Sequence, residues 1–200
     1  MRFYVNEVLS VWGTLNPAWV ERNARRGALS REVTVEGIGL EELMGKFGVP
    51  YYLKVDIEGA DLVCLESLQR SGARPRYVSI ESTMTSWDGL KREFDLLGEL
   101  GYCRFKIVNQ KLVPTQIPPV PAREGKTIDH RFAEGATGLF GEEAPGHWLS
   151  RPEALAAYKR IFRRYRLFGN DGLLTRNRVT RRLTRLFGVR EEWYDTHAAM

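Results

Sequence analysis

The stretch Tyr51-Tyr52-Leu53-Lys54-Val55-Asp56-Ile57-Glu58-Gly59-Ala60-Asp61 decides how this chain is read. A compact run of strand-forming residues meets two acids and a glycine, after which Leu62, Val63, Leu65 and Leu68 recur along one helix face. A strand that turns at once into a helix is half of a βαβ unit, and similar halves lie on both sides. Upstream, Phe3-Tyr4-Val5 reads as a strand, Ala18 to Arg26 as a short helix ending at Gly27, and Val33-Thr34-Val35 as a second strand. Leu40, Leu43, Met44 and Phe47 then have helical spacing closed by Gly48. Downstream, Arg76 to Ile80 is a strand ending at Glu81. Leu90, Phe94, Leu97 and Leu100 mark a helix closed by Gly101, and Tyr102 to Val108 alternates like a half-buried strand. Strands alternating with helices predict an α/β domain over residues 1–113, with a mostly parallel sheet.

Beyond it the character of the chain changes twice. Pro114, Pro118, Pro119 and Pro121 forbid regular structure, and four glycines between Gly135 and Gly146 extend the break, so residues 114–149 are expected to be a long loop. Residues 150–200 are expected to be a helical, basic extension. Ser150-Arg151-Pro152-Glu153 has capping-box spacing, and Leu155, Tyr158, Phe162 and Tyr165 predict a helix from about Arg151 to Leu167. A second helix is expected through Val179, Leu183 and Leu186.

At 200 residues, 43% hydrophobic and 28% charged, the chain is long enough to bury a core and too mixed to be disordered or collagenous. No apolar run approaches the roughly 20 residues that cross a bilayer, and the N-terminus lacks the apolar core of a signal peptide; a cytoplasmic protein is the simplest reading. Cys64 and Cys103 sit in apolar periodic segments, without zinc or disulfide spacing, and are expected to be reduced core residues. The net charge of +5 hides an asymmetry. Lys159 to Arg190 holds eleven basic residues and one acid, which leaves the rest of the chain at −5.

In an open α/β sheet, ligands bind beyond the carboxyl ends of the strands, where Asp56, Glu58 and Glu81 stand. Asp56, Glu58 and Asp61 are equally the acids that a helix N-terminus favours, and on spacing alone the two readings weigh the same. The residues themselves go further. Leu53 to Asp61 resembles the LKxDxEGxE segment of FkbM-type methyltransferases, Val33 to Leu43 resembles the stretch before it, Tyr77 to Glu81 the next strand, and Gly101-Tyr102 the turn after the following helix. Gly138 to Glu143 and Trp193 to Ala198 are similar to elements of a longer-tailed subgroup.

The resemblance implies a Rossmann-like class I fold, S-adenosylmethionine as methyl donor, and a hydroxyl on a sugar or natural product as acceptor. It implies Asp56 as the base or orienting group for that hydroxyl, Glu58 and Glu81 as supporting acceptors, and Lys54 as the partner that holds a carboxylate in place, two residues apart on one side of a strand. Asp56, Glu58 and Lys54 are thus the catalytic candidates, Glu81 and His130 the substrate-binding ones. A divalent metal is compatible with the acids but is not expected, and no paired histidine spacing supports one. One departure stands out: the strand, glycine-rich turn and acid that hold the donor in this family do not precede Phe3, so the donor-binding half is expected upstream of Met1 and donor binding by this chain is expected to be weak or absent. A sheet lacking those strands exposes an edge that favours pairing, which makes a dimer compatible with the sequence.

Three further features complete the reading. Asp129-His130-Arg131 and Asp195-Thr196-His197 place histidines beside carboxylates, the arrangement of a group that titrates near neutrality, but surface polar residues are the simpler assignment for both. The glycines near 135–141 lack the Lys-Ser or Lys-Thr of a phosphate loop. Arg176, Arg178, Arg181, Arg182 and Arg185 opposite an apolar stripe offer the competing function, a non-catalytic module that binds nucleic acid, glycan or membrane. A solvated helix face is preferred, because no nucleic-acid motif accompanies them.

Overall fold

The computed structural model describes residues 1–8, 13–15, 17–25, 27–57, 60–84, 86–168 and 193–200. Glu58, Gly59, the helix expected through Val179 to Leu186 and the arginines from Arg176 to Arg185 lie outside the described residues. The chain folds as two compact units, Met1–Pro75 and Arg76–Met200.

In the first unit, β1 (Arg2–Asn6) and β2 (Ser30–Thr34) pair antiparallel, Arg2 opposite Thr34 and Asn6 opposite Ser30, with α1 (Pro17–Arg25) between them in sequence. Gly27, at φ +82°, supplies the left-handed turn that ends α1. Helix α2 (Leu40–Phe47) follows, then β3 (Tyr52–Val55) and α3 (Asp61–Ser71). Helix α3 buries Leu65 and Leu68 and ends at Gly72 in the left-handed region.

The second unit carries most of the buried apolar residues. Strands β4 (Tyr77–Glu81) and β5 (Arg104–Asn109) are joined through α4 (Trp87–Glu99), and α5 (Arg151–Phe168) packs near β5 and α4. Helix α4 starts where Ser86 Oγ accepts the Gly89 N–H, and it buries Leu90, Phe94, Leu96 and Leu97. Helix α5 starts on the predicted capping box, with Glu153 Oε2 taking the Ser150 N–H at 2.8 Å and its hydroxyl at 2.6 Å. Phe94 meets both Phe105 and Tyr158 at ring-centroid distances of 4.9 and 5.8 Å, so one aromatic cluster joins α4, β5 and α5.

The last strand changes the topology. Residues Tyr194–Ala199 form β6, which lies between β4 and β5 and runs antiparallel to each, Tyr77 and Arg104 both facing Ala199. β4 and β5 are therefore parallel to one another but separated by a reversed strand, and the sheet is less parallel than the alternation of strands and helices predicts. The 150–200 segment, expected to be helical, ends in a strand. His197, expected as a surface terminal residue, is 2% exposed, because β6 is covered on both faces. Cys103 is exposed and Cys64 half-buried, so neither is a fully buried core residue. The outer edge of β5 is closed by a short bridge in which Phe105 and Leu149 exchange both backbone hydrogen bonds. Among the described residues, no helix is long and apolar enough to cross a membrane.

Candidate active site

The deciding stretch puts its chemistry at the carboxyl end of β3. Lys54 and Asp56 are two residues apart and project to one side, where Lys54 Nζ lies 3.3 Å from Asp56 Oδ2. The lysine is more covered than its partner, at 21% against 44% side-chain exposure, so the carboxylate keeps a face to solvent while its orientation is held. An ion pair this exposed adds about 0–1 kcal/mol to stability; its consequence is geometric. Asp61 Oδ1 accepts the Ile57 N–H at 3.0 Å, which closes the turn between β3 and α3 and sets an acid in the first turn of the helix. Burial, with the Asp61 charge behind it, raises the Cys64 thiol above its ordinary range, which makes it a poor nucleophile.

In the second unit, Glu81 ends β4 opposite Asp195 of β6, and the residues after it are tightly held. Ser82 donates its N–H to the Tyr194 carbonyl, and the Thr83 N–H donates to Glu93 Oε2, a carboxylate buried on α4. Ser82 Oγ, Tyr158 Oη and Thr196 Oγ1 form a buried triangle with sides of 2.5, 2.8 and 2.8 Å. In such a ring each hydroxyl gives one hydrogen bond and accepts another, so three polar groups are satisfied without water. Burial, reinforced by the Glu93 charge, pushes the Tyr158 phenol far above its ordinary value and keeps it protonated.

A second polar cluster centres on Lys106, buried in β5. Its ammonium donates to the carbonyls of Gly141, Glu142 and Ala144 at 3.1, 3.2 and 2.6 Å and lies 4.5 Å from the centre of the Trp148 ring. Desolvation holds it below the usual lysine range. Glu142 accepts the Trp148 indole N–H at 2.8 Å and faces Arg104. That hydrogen bond first, then the neighbouring cations, lower its carboxyl below the ordinary range. Tyr77 donates to Glu124, and its phenol is raised, chiefly by burial.

Of the residues singled out from sequence, the structure brings Lys54 and Asp56 together. Glu81 and His130 stand apart within the second unit: His130 is exposed, sits edge-on to Phe132 at 4.8 Å and lines a groove to which Glu81 does not contribute. The hydroxyl triangle and the Lys106 cluster are absent from the sequence reading. Their members are scattered from Tyr77 to Thr196, and the only local signal is a lysine at an inward position of an alternating strand. Among the described residues, no group of three metal-ligating side chains converges.

Comparison with known proteins adds one finding. No curated protein and no solved structure matches the chain. The sequence model of the methyltransferase FkbM domain matches residues 3–107, from β1 into β5, a span that includes Lys54, Asp56 and Glu81 but not His130. A match over more than half of the chain, carrying the paired Lys54 and Asp56 at a strand's carboxyl end, places this protein in the FkbM methyltransferase family.

Proposed function

We propose that this chain carries the acceptor-handling part of an S-adenosylmethionine-dependent O-methyltransferase that acts on a hydroxyl of a sugar or natural product. The observation that carries the reading is the family match over a segment in which Asp56 is oriented by Lys54 and still open to solvent. Bound donor would supply an electrophilic methyl group; the protein's task is to line up the hydroxyl and take its proton. In this reading Asp56 accepts the acceptor's O–H, Lys54 keeps the carboxylate aimed, and Glu58, two residues on, offers a further hydrogen-bond acceptor. The crossover from β4 through α4 to β5, with an antiparallel last strand between them, supports a Rossmann-like sheet.

The described residues do not fit the donor. A nucleotide-like molecule is held by parallel strands whose turns lead into helix N-termini, and here the strands ahead of β3 are an antiparallel pair. The Asp61 carboxylate, in the first turn of α3, is already engaged by the Ile57 N–H. The roles above therefore concern the acceptor.

The test measures transfer of a radiolabelled methyl group from S-adenosylmethionine by the 200-residue chain to a panel of hydroxylated sugars and natural products, with donor affinity from calorimetry. We expect donor binding weaker than micromolar and transfer only at high donor concentration. No transfer at any donor concentration removes the transferase reading, and micromolar donor binding overturns the misfit. Asp56→Asn should lower the transfer rate by about 10²- to 10⁴-fold with little change in donor affinity.

A further inference from the structure

The proline-rich segment after β5 is held in shape by hydrogen bonds between side chains and backbone. Gln116 Oε1 accepts the Leu139 N–H at 2.7 Å, and Thr127 Oγ1 accepts the Ala122 N–H at 3.1 Å. Glu143 Oε1 takes the N–H groups of Arg123 and Glu124 at 2.7 and 3.1 Å. Backbone pinned at both ends of its turns forms fixed walls, and between them lies an open groove of about 630 Å³. That volume is within the usual range of small-molecule sites.

The lining is aliphatic and unusually bare. Ile117 is 82% exposed, Val120 80% and Ile128 55%, and prolines stand beside them. The one ring in the lining is the His130 imidazole, and the bare aliphatic side chains beside it offer their contact to a chain of methylenes. Its polar groups are Thr115, Gln116, Thr127, Asp129, His130 and one cation, Arg131. Arg131 has no ion-pair partner among the described residues, and Gln116 Nε2 is shielded from water without an acceptor. Asp129 is the one acid in the lining.

We infer that this groove binds an aliphatic chain that ends in a carboxylate, the chain covering Ile117, Val120 and Ile128 and the carboxylate taken by Arg131. Burying the exposed side chains supplies the driving force, and the guanidinium selects the head group. The inference rests on the transferase reading only in making this molecule's hydroxylated form the acceptor; the binding itself is independent of methyl transfer.

The experiment uses the whole chain with carbon-13-labelled isoleucine methyl groups and three probes: decanoate, octyl glucoside and glucose. Decanoate should shift the Ile117 and Ile128 methyl signals saturably, octyl glucoside should shift the same signals about fivefold more weakly, and glucose should shift neither. Ile117→Ser removes a side chain that is mostly in solvent, so the fold should survive, and decanoate affinity should fall about fivefold. Arg131→Gln should weaken decanoate by a similar factor and leave octyl glucoside unchanged. Shifts centred on Ile80 and Ile107, no saturable shift, or unchanged affinity in both variants would overturn the inference. Decanoate binding in a protein that transfers no methyl group at any donor concentration leaves the groove standing and removes only the transferase reading. Methyl transfer without decanoate binding does the reverse.

Discussion

At the scale of single residues, this protein buries polar groups that find their hydrogen bonds in distant segments. Tyr158 is the clearest case, since its hydroxyl closes the ring with Ser82 and Thr196. Tyr158→Phe breaks that ring and should cost about 1–2 kcal/mol in urea unfolding, because two hydroxyls lose a partner in a dry site. Lys106→Met leaves three carbonyls of the 141–144 turn without their donor, and a loss of about 2–4 kcal/mol is expected by the same measurement. Gly138 is constrained twice: its φ is +78°, and a Cβ there would meet Gln116 Oε1 at 2.6 Å. Gly138→Ala should therefore destabilise by at least about 1 kcal/mol and loosen the wall that Gln116 holds. The sequence makes Lys54 and Asp56 legible as a pair because strand geometry alone brings residues two apart to one side. It cannot announce Lys106, whose partners are backbone carbonyls 35 to 38 residues away.

At the scale of elements, helices announce themselves and the decisive strand does not. The capping box of α5 is visible in four consecutive residues because both of its hydrogen bonds are local. Ser150→Ala should lower stability by about 1 kcal/mol, measured as a shift in urea midpoint. Glu153 is held below the ordinary carboxyl range by the Ser150 hydroxyl and N–H. Its contribution is present above the unfolded carboxylate value and is lost as pH falls through the folded one. Strand β6 reads Tyr-Asp-Thr-His-Ala-Ala, without alternation or a β-branched run, and so carries none of the usual strand signals. It is a strand because two neighbours take its backbone hydrogen bonds on either side. Its polar side chains are tolerated there because they are engaged: Thr196 in the hydroxyl ring, Asp195 and His197 in contacts of their own.

For the whole molecule, the acid and alkaline limits of stability have different sources. Glu142, lowered by the Trp148 indole and the nearby cations, stabilises the fold above the ordinary carboxylate range, and this is lost as pH falls through its folded value. Tyr77 and Tyr158 are raised, so their contribution is complete below the ordinary phenol value and is lost as pH climbs towards the folded one. A profile of Tm against pH should therefore fall at both ends, and Trp148→Phe, which removes the indole donor to Glu142, should flatten the acid limb. Removing residues 193–200 takes out the strand between β4 and β5, and cooperative unfolding of the second unit should vanish from its thermal scan.

What the sequence determined by itself is everything that depends on neighbours a few residues apart: the strand and helix around Lys54 to Asp61, the capped start of α5, the glycines that end helices, and the family to which the chain belongs. What only the tertiary structure decided are the contacts between distant segments. The antiparallel course of β6, the hydroxyl triangle, the buried Lys106 and the pinned groove before Arg131 all join residues tens of positions apart. Local propensity and spacing hold no record of such partners, since a buried polar side chain is worth having only where the rest of the fold delivers the group that satisfies it.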